Sequence, residues 1–415
     1  MTGSGDTPLG DRLKARIDAD GPIGVDDFMA ACLGDAQDGY YQQSDPFGSQ
    51  GDFTTAPEIS GLFGEMCGLY LAHMFELAGA PSQTSVIELG PGRGTLMRDM
   101  RHVWAQLMPK MTECPVHLLE TSQHLRQLQA DLLGDADTSW HGEIDTLLAA
   151  SGGPLFGIAN EFFDALPVTQ LIRHQGNWHH RQVAVHDGRL TFAIGPVAND
   201  LPIPFDEQAA SHDDMSDGTV IEHCPLADSV MSALASAIAR RGGAILIVDY
   251  GSNGNPGDSL QAVAAHKPVD IFHMPGAADL SHWVDFAALG RAALAAGARL
   301  IPPVSQGRFL LQVGLAERAE AAGKLADPET RRALYAAVDR LTSPAQMGEV
   351  FKVALLVPQG AGMPPGFESE AASPVIKKSR AESGPESGIG SREGPGGNGE
   401  NREMEAHDEW GQTHF

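Results

Sequence analysis

Residues 84–95 read TSVIELGPGRGT. The run TSVIELG (84–90) is short and apolar, the pattern of a strand buried on both faces. Three glycines follow in the order GxGxG, at Gly90, Gly92 and Gly94, and a helix begins at once. Its apolar stripe is Leu96, Met97, Met100, Val103, Trp104 and Leu107. Glycine is needed where a chain turns sharply from strand to helix, and again where no side chain can stand between backbone and ligand. The stretch therefore predicts a strand–turn–helix unit that brings backbone onto a bound molecule.

Outward from this unit the rhythm repeats. PVHLLE (115–120) reads as a second strand, followed by a helix carrying Leu125, Leu128 and Leu132. A third strand is expected near Ser139 to Ile144. GPLFGIANEFFDALPV contains a fourth that ends near Asn160, and GGAILIVDYG (242–251) a fifth. Alternating short strands and helices predict an α/β fold with a doubly wound, Rossmann-like parallel sheet. Between the fourth and fifth strands, NWHHRQVAVHDGRLTFAIG forms two alternating runs around Asp187-Gly188, a β-hairpin signal. After the fifth strand we expect a long loop, a helix in HWVDFAALGRAALAAG, a strand at ARLIPPV, helix to about Leu341, and a last strand in VFKVALLV. The expected organisation is a helical N-terminal cap with an ordered loop (1–82), a ligand-binding domain (83–170 and 217–358), an inserted antiparallel subdomain (171–216) and a disordered Gly/Ser/Glu/Pro-rich tail (367–415).

Bulk properties narrow the function. With 42% hydrophobic residues over 415, the chain can fill a sizeable core without staples. Cys32, Cys67, Cys114 and Cys224 are scattered, with no CxxC pair and no histidine at zinc spacing, so neither a disulfide framework nor a metal site is expected. A formal net charge of -26 argues against a nucleic-acid surface and permits a basic protein partner. The first residues are polar throughout, and no apolar run reaches membrane-spanning length. We therefore expect a soluble, cytoplasmic protein without a membrane span.

Three ligand classes compete for the glycine turn. A dinucleotide fold would place a third glycine of GxGxxG where Thr95 stands, and a P-loop would end in Gly-Lys-Ser/Thr, whereas no lysine is present. GxGxG directly after an acid, Glu88, is the pattern of S-adenosylmethionine binding, and an ordinary βα turn is the bland alternative. Glu120, ending the second strand, is placed to accept hydrogen bonds from a ribose diol; strand-end acids also serve as solvated or helix-dipole residues. Asn160, Glu161 and Asp164 end the fourth strand, where ligands of open α/β sheets lie. Two carboxylates three residues apart can hold a guanidinium or take up a proton, or they can cap a helix. His266, His273 and His282 fit no ligand set and read as solvated or hydrogen-bonded.

The blocks GYY, GDFTTAPEIS, FGE, ELGPGRGTLM, EFFDALPV, VDYG, PGAADLSHWVDF, QGRFL and MGEVFKV make the chain resemble the MidA-type class I methyltransferases. That is the family of the mitochondrial complex I assembly factor that methylates arginine. The match runs from about residue 20 to 358, with Ala56 where the family string has serine and a looser fit over 251–273. The resemblance implies S-adenosylmethionine as cofactor, held by Glu88, Gly90, Gly92, Gly94 and Glu120. It implies a protein arginine, in a complex I-type subunit or similar partner, as acceptor. Glu161, helped by Asp164 and Asn160, would orient and deprotonate that acceptor, with Asp52, Phe53, Glu58, Asp249 and Tyr250 as lid or substrate residues. A homodimer is allowed for. A cofactor-binding assembly chaperone with little turnover, and a nicotinamide oxidoreductase, remain as alternatives.

Overall fold

The apolar runs around the glycine turn become seven strands of one sheet in a computed structural model that describes residues 7–43, 55–134, 137–199, 215–254 and 257–368. We label them β1 (Ser85–Leu89), β2 (Val116–Leu119), β3 (Thr138–His141), β4 (Leu155–Asn160), β5 (Gly243–Ser252), β6 (Ala298–Ser305) and β7 (Phe351–Pro358). Their spatial order is β3-β2-β1-β4-β5-β7-β6. The first five run parallel, and β7 enters antiparallel between β5 and β6. The chain thus winds outward from β1 to β3, then returns to begin the other half at β4. This reversal opens a crevice at the carboxyl ends of β1 and β4, the place where such sheets bind ligands.

Every side chain of β1, β2 and β4 is buried, as parallel strands covered on both faces require. Alternation sends Val86, Leu118, Phe156 and Leu246 to one face, under the helices Gly61–Leu77 and Thr95–Leu107. Ile87, Leu89, Ile245 and Ile247 face the other way, under Pro225–Arg241 and Phe286–Ala295. On the first face Trp104 is fully buried and its indole nitrogen donates to the Gly68 carbonyl at 2.7 Å, so the largest core side chain has its polar atom paired.

A second sheet stands beside the first. Asp187 (φ 50°) and Gly188 (φ 73°) turn the chain between the strands Asn177–His186 and Arg189–Val197, the left-handed pair that a two-residue hairpin needs. Thr169–His174, Val220–His223 and the N-terminal pair Ile23–Gly24 extend this hairpin to five strands. Ile23 pairs with Val183, and the helices Pro8–Asp20 and Val25–Gly34 bury Leu9, Leu13, Phe28 and Met29 in the core that Val183 shares.

Two expectations need correction. Much of the expected loop after β5 is a three-stranded antiparallel sheet made of Gln261–Ala264, Lys267–Val269 and Asp279–Ser281. Its tight turn uses Ala265 (φ 50°) and His266 (φ 59°), residues that do not advertise a left-handed turn as Asn-Gly would. Secondly, Phe367, taken as the first residue of the tail, is buried against Tyr70 and Phe309. The tail from residue 369 onward lies outside the described residues.

Candidate active site

β1 delivers Glu88 and then the glycine turn into the crevice. Gly90, Gly92 and Gly94 all have positive φ, at 63°, 53° and 85°. A Cβ on Gly90 would come within 3.0 Å of the Phe162 ring, so a side chain there would close the approach between the turn and the end of β4. Gly94 is the left-handed residue from which the helix Thr95–Leu107 starts. Together they leave bare backbone facing the crevice.

Glu88 is 2% exposed, and its Oε2 has no hydrogen-bond partner among the described residues. Burial pushes its carboxyl up to about 8. A buried carboxylate oxygen without a donor is costly unless something else supplies one. Glu120 directly follows the last residue of β2, as expected from the sequence, and is buried. Its carboxylate accepts from the Ser122 amide at 2.8 Å and from the Gln129 amide at 3.3 Å, so part of its capacity is already used by protein. Gln129 also donates to the Gly92 carbonyl at 2.7 Å and accepts from the Trp140 indole at 2.8 Å. It sits fully buried on the helix Gln123–Leu133, where the leucine pattern points to Leu125, Leu128 and Leu132; Leu125 is buried with it, whereas Leu132 is 37% exposed. Gln129 therefore ties the glycine turn to Glu120 and β3, a role no motif announced.

β4 ends in the acid cluster. No helix starts at Glu161 or Asp164, so these carboxylates are not caps. Glu161 is held at φ 50°, a strained conformation for a non-glycine residue and one that concentrates at functional sites. Its Oε1 accepts from the Asn160 side chain at 3.2 Å and from the Ala56 amide at 3.1 Å. Burial, and then the charge of Asp164, push Glu161 up to about 8. Burial likewise raises Asp164 to about 7, although the neighbouring Tyr250 hydroxyl and the Ala165 amide favour its charged form. The Asn160 side-chain oxygen and Asp164 Oδ1 are buried without partners among the described residues. Asp249, inside β5 three residues before its end, has no exposure and lies behind these groups. Its Oδ2 accepts the Phe163 and Asp164 amides at 3.0 and 3.3 Å, and its Oδ1 the Tyr250 amide at 3.0 Å. It braces the loop, while Tyr250 reaches the site.

The short helix Ala56–Ile59 closes the crevice from the N-terminal side. Glu58 Oε1 accepts from the Thr95 hydroxyl at 2.8 Å, and its Oε2 lies 3.5 Å from Arg93 in the glycine turn. Ala56, the departure from the family string, contributes its backbone amide to Glu161 and is fully buried. Asp52 and Phe53 lie outside the described residues. Of the three histidines, His282 is buried with its ring nitrogens 3.1 Å from the Leu166 and Trp283 carbonyl oxygens, and burial lowers it to about 4. It is a latch behind the acid loop.

A bare-backbone turn beside an unpartnered buried carboxylate and an unpartnered buried amide oxygen suits a polar ligand with cationic and hydroxyl groups. Comparison with known proteins supplies its identity. Residues 66–304 match the family of S-adenosyl-L-methionine-dependent methyltransferases. The chain belongs to this family. The chain is 33% identical to protein arginine methyltransferase NDUFAF7, mitochondrial, from Danio rerio, over 82% of this chain and 84% of that one. The human protein of the same name is also 33% identical, with 85% and 84% covered. A crystal structure of a Burkholderia thailandensis protein bound to S-adenosyl-homocysteine superposes with a TM-score of 0.72 at 28% identity, covering 86% of this chain and 94% of that one.

The protein is thus an S-adenosylmethionine-dependent methyltransferase with the class I fold, which removes the nicotinamide alternative. The expectation of a cytoplasmic protein is overturned, because the relatives are named mitochondrial. It had rested on the polar character of the first residues, which bears on solubility and not on compartment. Among the described residues, no helix is long and apolar enough to cross a membrane.

Proposed function

We propose that this methyltransferase modifies an arginine side chain of a protein partner, of the complex I-subunit type. One observation carries the reading: Glu161, strained at φ 50°, is fastened by Ala56 and Asn160 beside Asp164 at the mouth of the β1–β4 crevice. The name of the 33% identical relatives supports arginine as the acceptor, and the net charge of -26 suits a basic partner segment.

Gly90, Gly92 and Gly94, with Glu88 and Glu120, would hold the cofactor. When bound, it supplies a methyl group on a positively charged sulfur, already activated for transfer. The protein's task is then mainly alignment, for which effective molarities of roughly 10^5 to 10^8 M are available. Glu161 accepts an N–H of the guanidinium, turns one nitrogen toward the methyl group, and takes the proton that this nitrogen must lose. Asp164 holds a second N–H and keeps the cation in plane. Raised carboxyls suit this task, because a base with its pKa near working pH exchanges protons readily. Asp249 and Tyr250 keep Asp164 in place, and Glu58 seats the N-terminal segment on the glycine turn.

The test is transfer of labelled methyl groups to a mitochondrial extract, with arginine methylation read by mass spectrometry. Wild type labels a protein on arginine, and Glu161→Gln fails to do so while still binding S-adenosylhomocysteine. Equal labelling by the variant would sink the assignment of Glu161. Cofactor binding without any labelling by wild type would favour the assembly-chaperone alternative.

A further inference from the structure

Asp279 and Tyr41 have no part in the reading above, yet they stand at the same site. The strand Asp279–Ser281 is tied to the acid loop by groups that themselves belong to it. The His282 amide donates to the Asp164 carbonyl at 3.0 Å. The Tyr250 hydroxyl, which neighbours Asp164 and Ser281, accepts from Gln261 at 3.2 Å. Gln261 and Ser281 are cross-strand partners, so one register places both on Tyr250. Two residues before Ser281, Asp279 is half-buried, and its Oδ1 accepts from the Tyr41 hydroxyl at 3.3 Å. Its charge acts on both Glu161 and Tyr41.

Three carboxylates from two segments therefore lie near one another: Glu161 and Asp164 in the loop after β4, and Asp279 from the small sheet. Convergence of acids alone would not define a ligand. The second observation is a pair of acceptors there that have no partner among the described residues, Asp164 Oδ1 and the Asn160 side-chain oxygen, on residues 7% and 8% exposed. Such atoms need donors. A guanidinium offers five N–H groups around the edges of one plane, whereas an ammonium offers three from a point. Acceptors spread over two facing segments, several on each side taken together, match the former.

We propose that Asp279, held by the Tyr41 hydroxyl, binds the acceptor directly and completes with Glu161 and Asp164 a three-carboxylate clamp that selects arginine over lysine. This inference rests on the arginine reading, and the experiment separates the two. The full-length protein, saturated with S-adenosylhomocysteine, is titrated by NMR with N-acetyl-arginine methylamide and with N-acetyl-lysine methylamide. Calorimetry follows S-adenosylhomocysteine affinity in parallel.

Wild type should favour the arginine probe by about tenfold or more. Asp279→Asn should weaken that probe about tenfold, bring the two probes within about threefold, and leave S-adenosylhomocysteine affinity within about twofold. Tyr41→Phe should weaken the arginine probe about threefold, because the carboxylate remains and only its tether is lost. Undiminished arginine preference in Asp279→Asn, with cofactor-product binding intact, overturns the role of Asp279 alone. If that variant does not fold, undiminished preference in Tyr41→Phe overturns it instead. A wild-type protein with no preference for the arginine probe overturns the arginine reading, and the clamp with it.

Discussion

Replacing Glu88 by glutamine should stabilise the cofactor-free protein at neutral pH and weaken its hold on S-adenosylmethionine. Burial raises the Glu88 carboxyl from 4.5 to about 8. The folded state therefore keeps its proton at pH values where the unfolded chain has lost it. Stability from this group is fully present below pH 4.5 and is lost as pH rises toward 8, at about 1.4 kcal/mol per pH unit. At pH 7 the loss amounts to about 3 kcal/mol. Because glutamine does not titrate, Glu88→Gln should match wild type near pH 4.5 and exceed it by about 3 kcal/mol at pH 7, a rise in melting temperature of roughly 5 °C. The unpartnered Oε2 supplies the other half of the expectation. If a cationic group of the cofactor is its missing partner, the variant should bind S-adenosylmethionine about tenfold or more weakly, the worth of one hydrogen bond to a charged group. Thermal unfolding of both proteins from pH 4.5 to 8, with and without cofactor, tests both halves. A variant that melts no higher than wild type at pH 7, with the same pH slope, would refute the account of Glu88 as a buried, uncompensated acid.

Other consequences can be measured separately. Gly90→Ala places a Cβ 3.0 Å from Phe162 on a residue at φ 63°, so calorimetry should show about tenfold weaker cofactor binding or worse; unchanged affinity would remove Gly90 from the cradle. Gln129→Leu fills similar space but strands the Trp140 indole and the Gly92 carbonyl, and denaturant unfolding should register a loss of about 2–4 kcal/mol. Methyl transfer should rise with pH through the range in which Asp164 and Glu161 ionise, about 7 and about 8, because only the ionised forms hold a guanidinium and accept its proton. A rate that is flat from pH 6 to 9 would exclude them as the groups that control turnover.

The parts of this protein that were legible in its sequence are those whose cause is local. A strand buried on both faces must be apolar along its length, and a turn that exposes backbone must be glycine, so β1 and Gly90 to Gly94 declare themselves within a dozen residues. The position of Glu161 and Asp164 was legible for the same reason, since they follow the end of an apolar strand, where such sheets bind ligands. The remainder depends on contacts that no window contains. Gln129 looks like a surface residue between leucines until Gly92, Glu120 and Trp140 surround it. The turn at Ala265 and His266 adopts left-handed backbone without the residues that favour it, which hid the small sheet. That sheet carries Asp279, whose partner Tyr41 lies 238 positions earlier in the chain. Backbone shaped to receive a cofactor is thus written in adjacent residues, whereas the proposed selection of an acceptor draws on segments that only the folded chain brings together. Substitutions in the glycine turn should consequently be read first in cofactor affinity, and those at Tyr41 and Asp279 in the choice of side chain methylated.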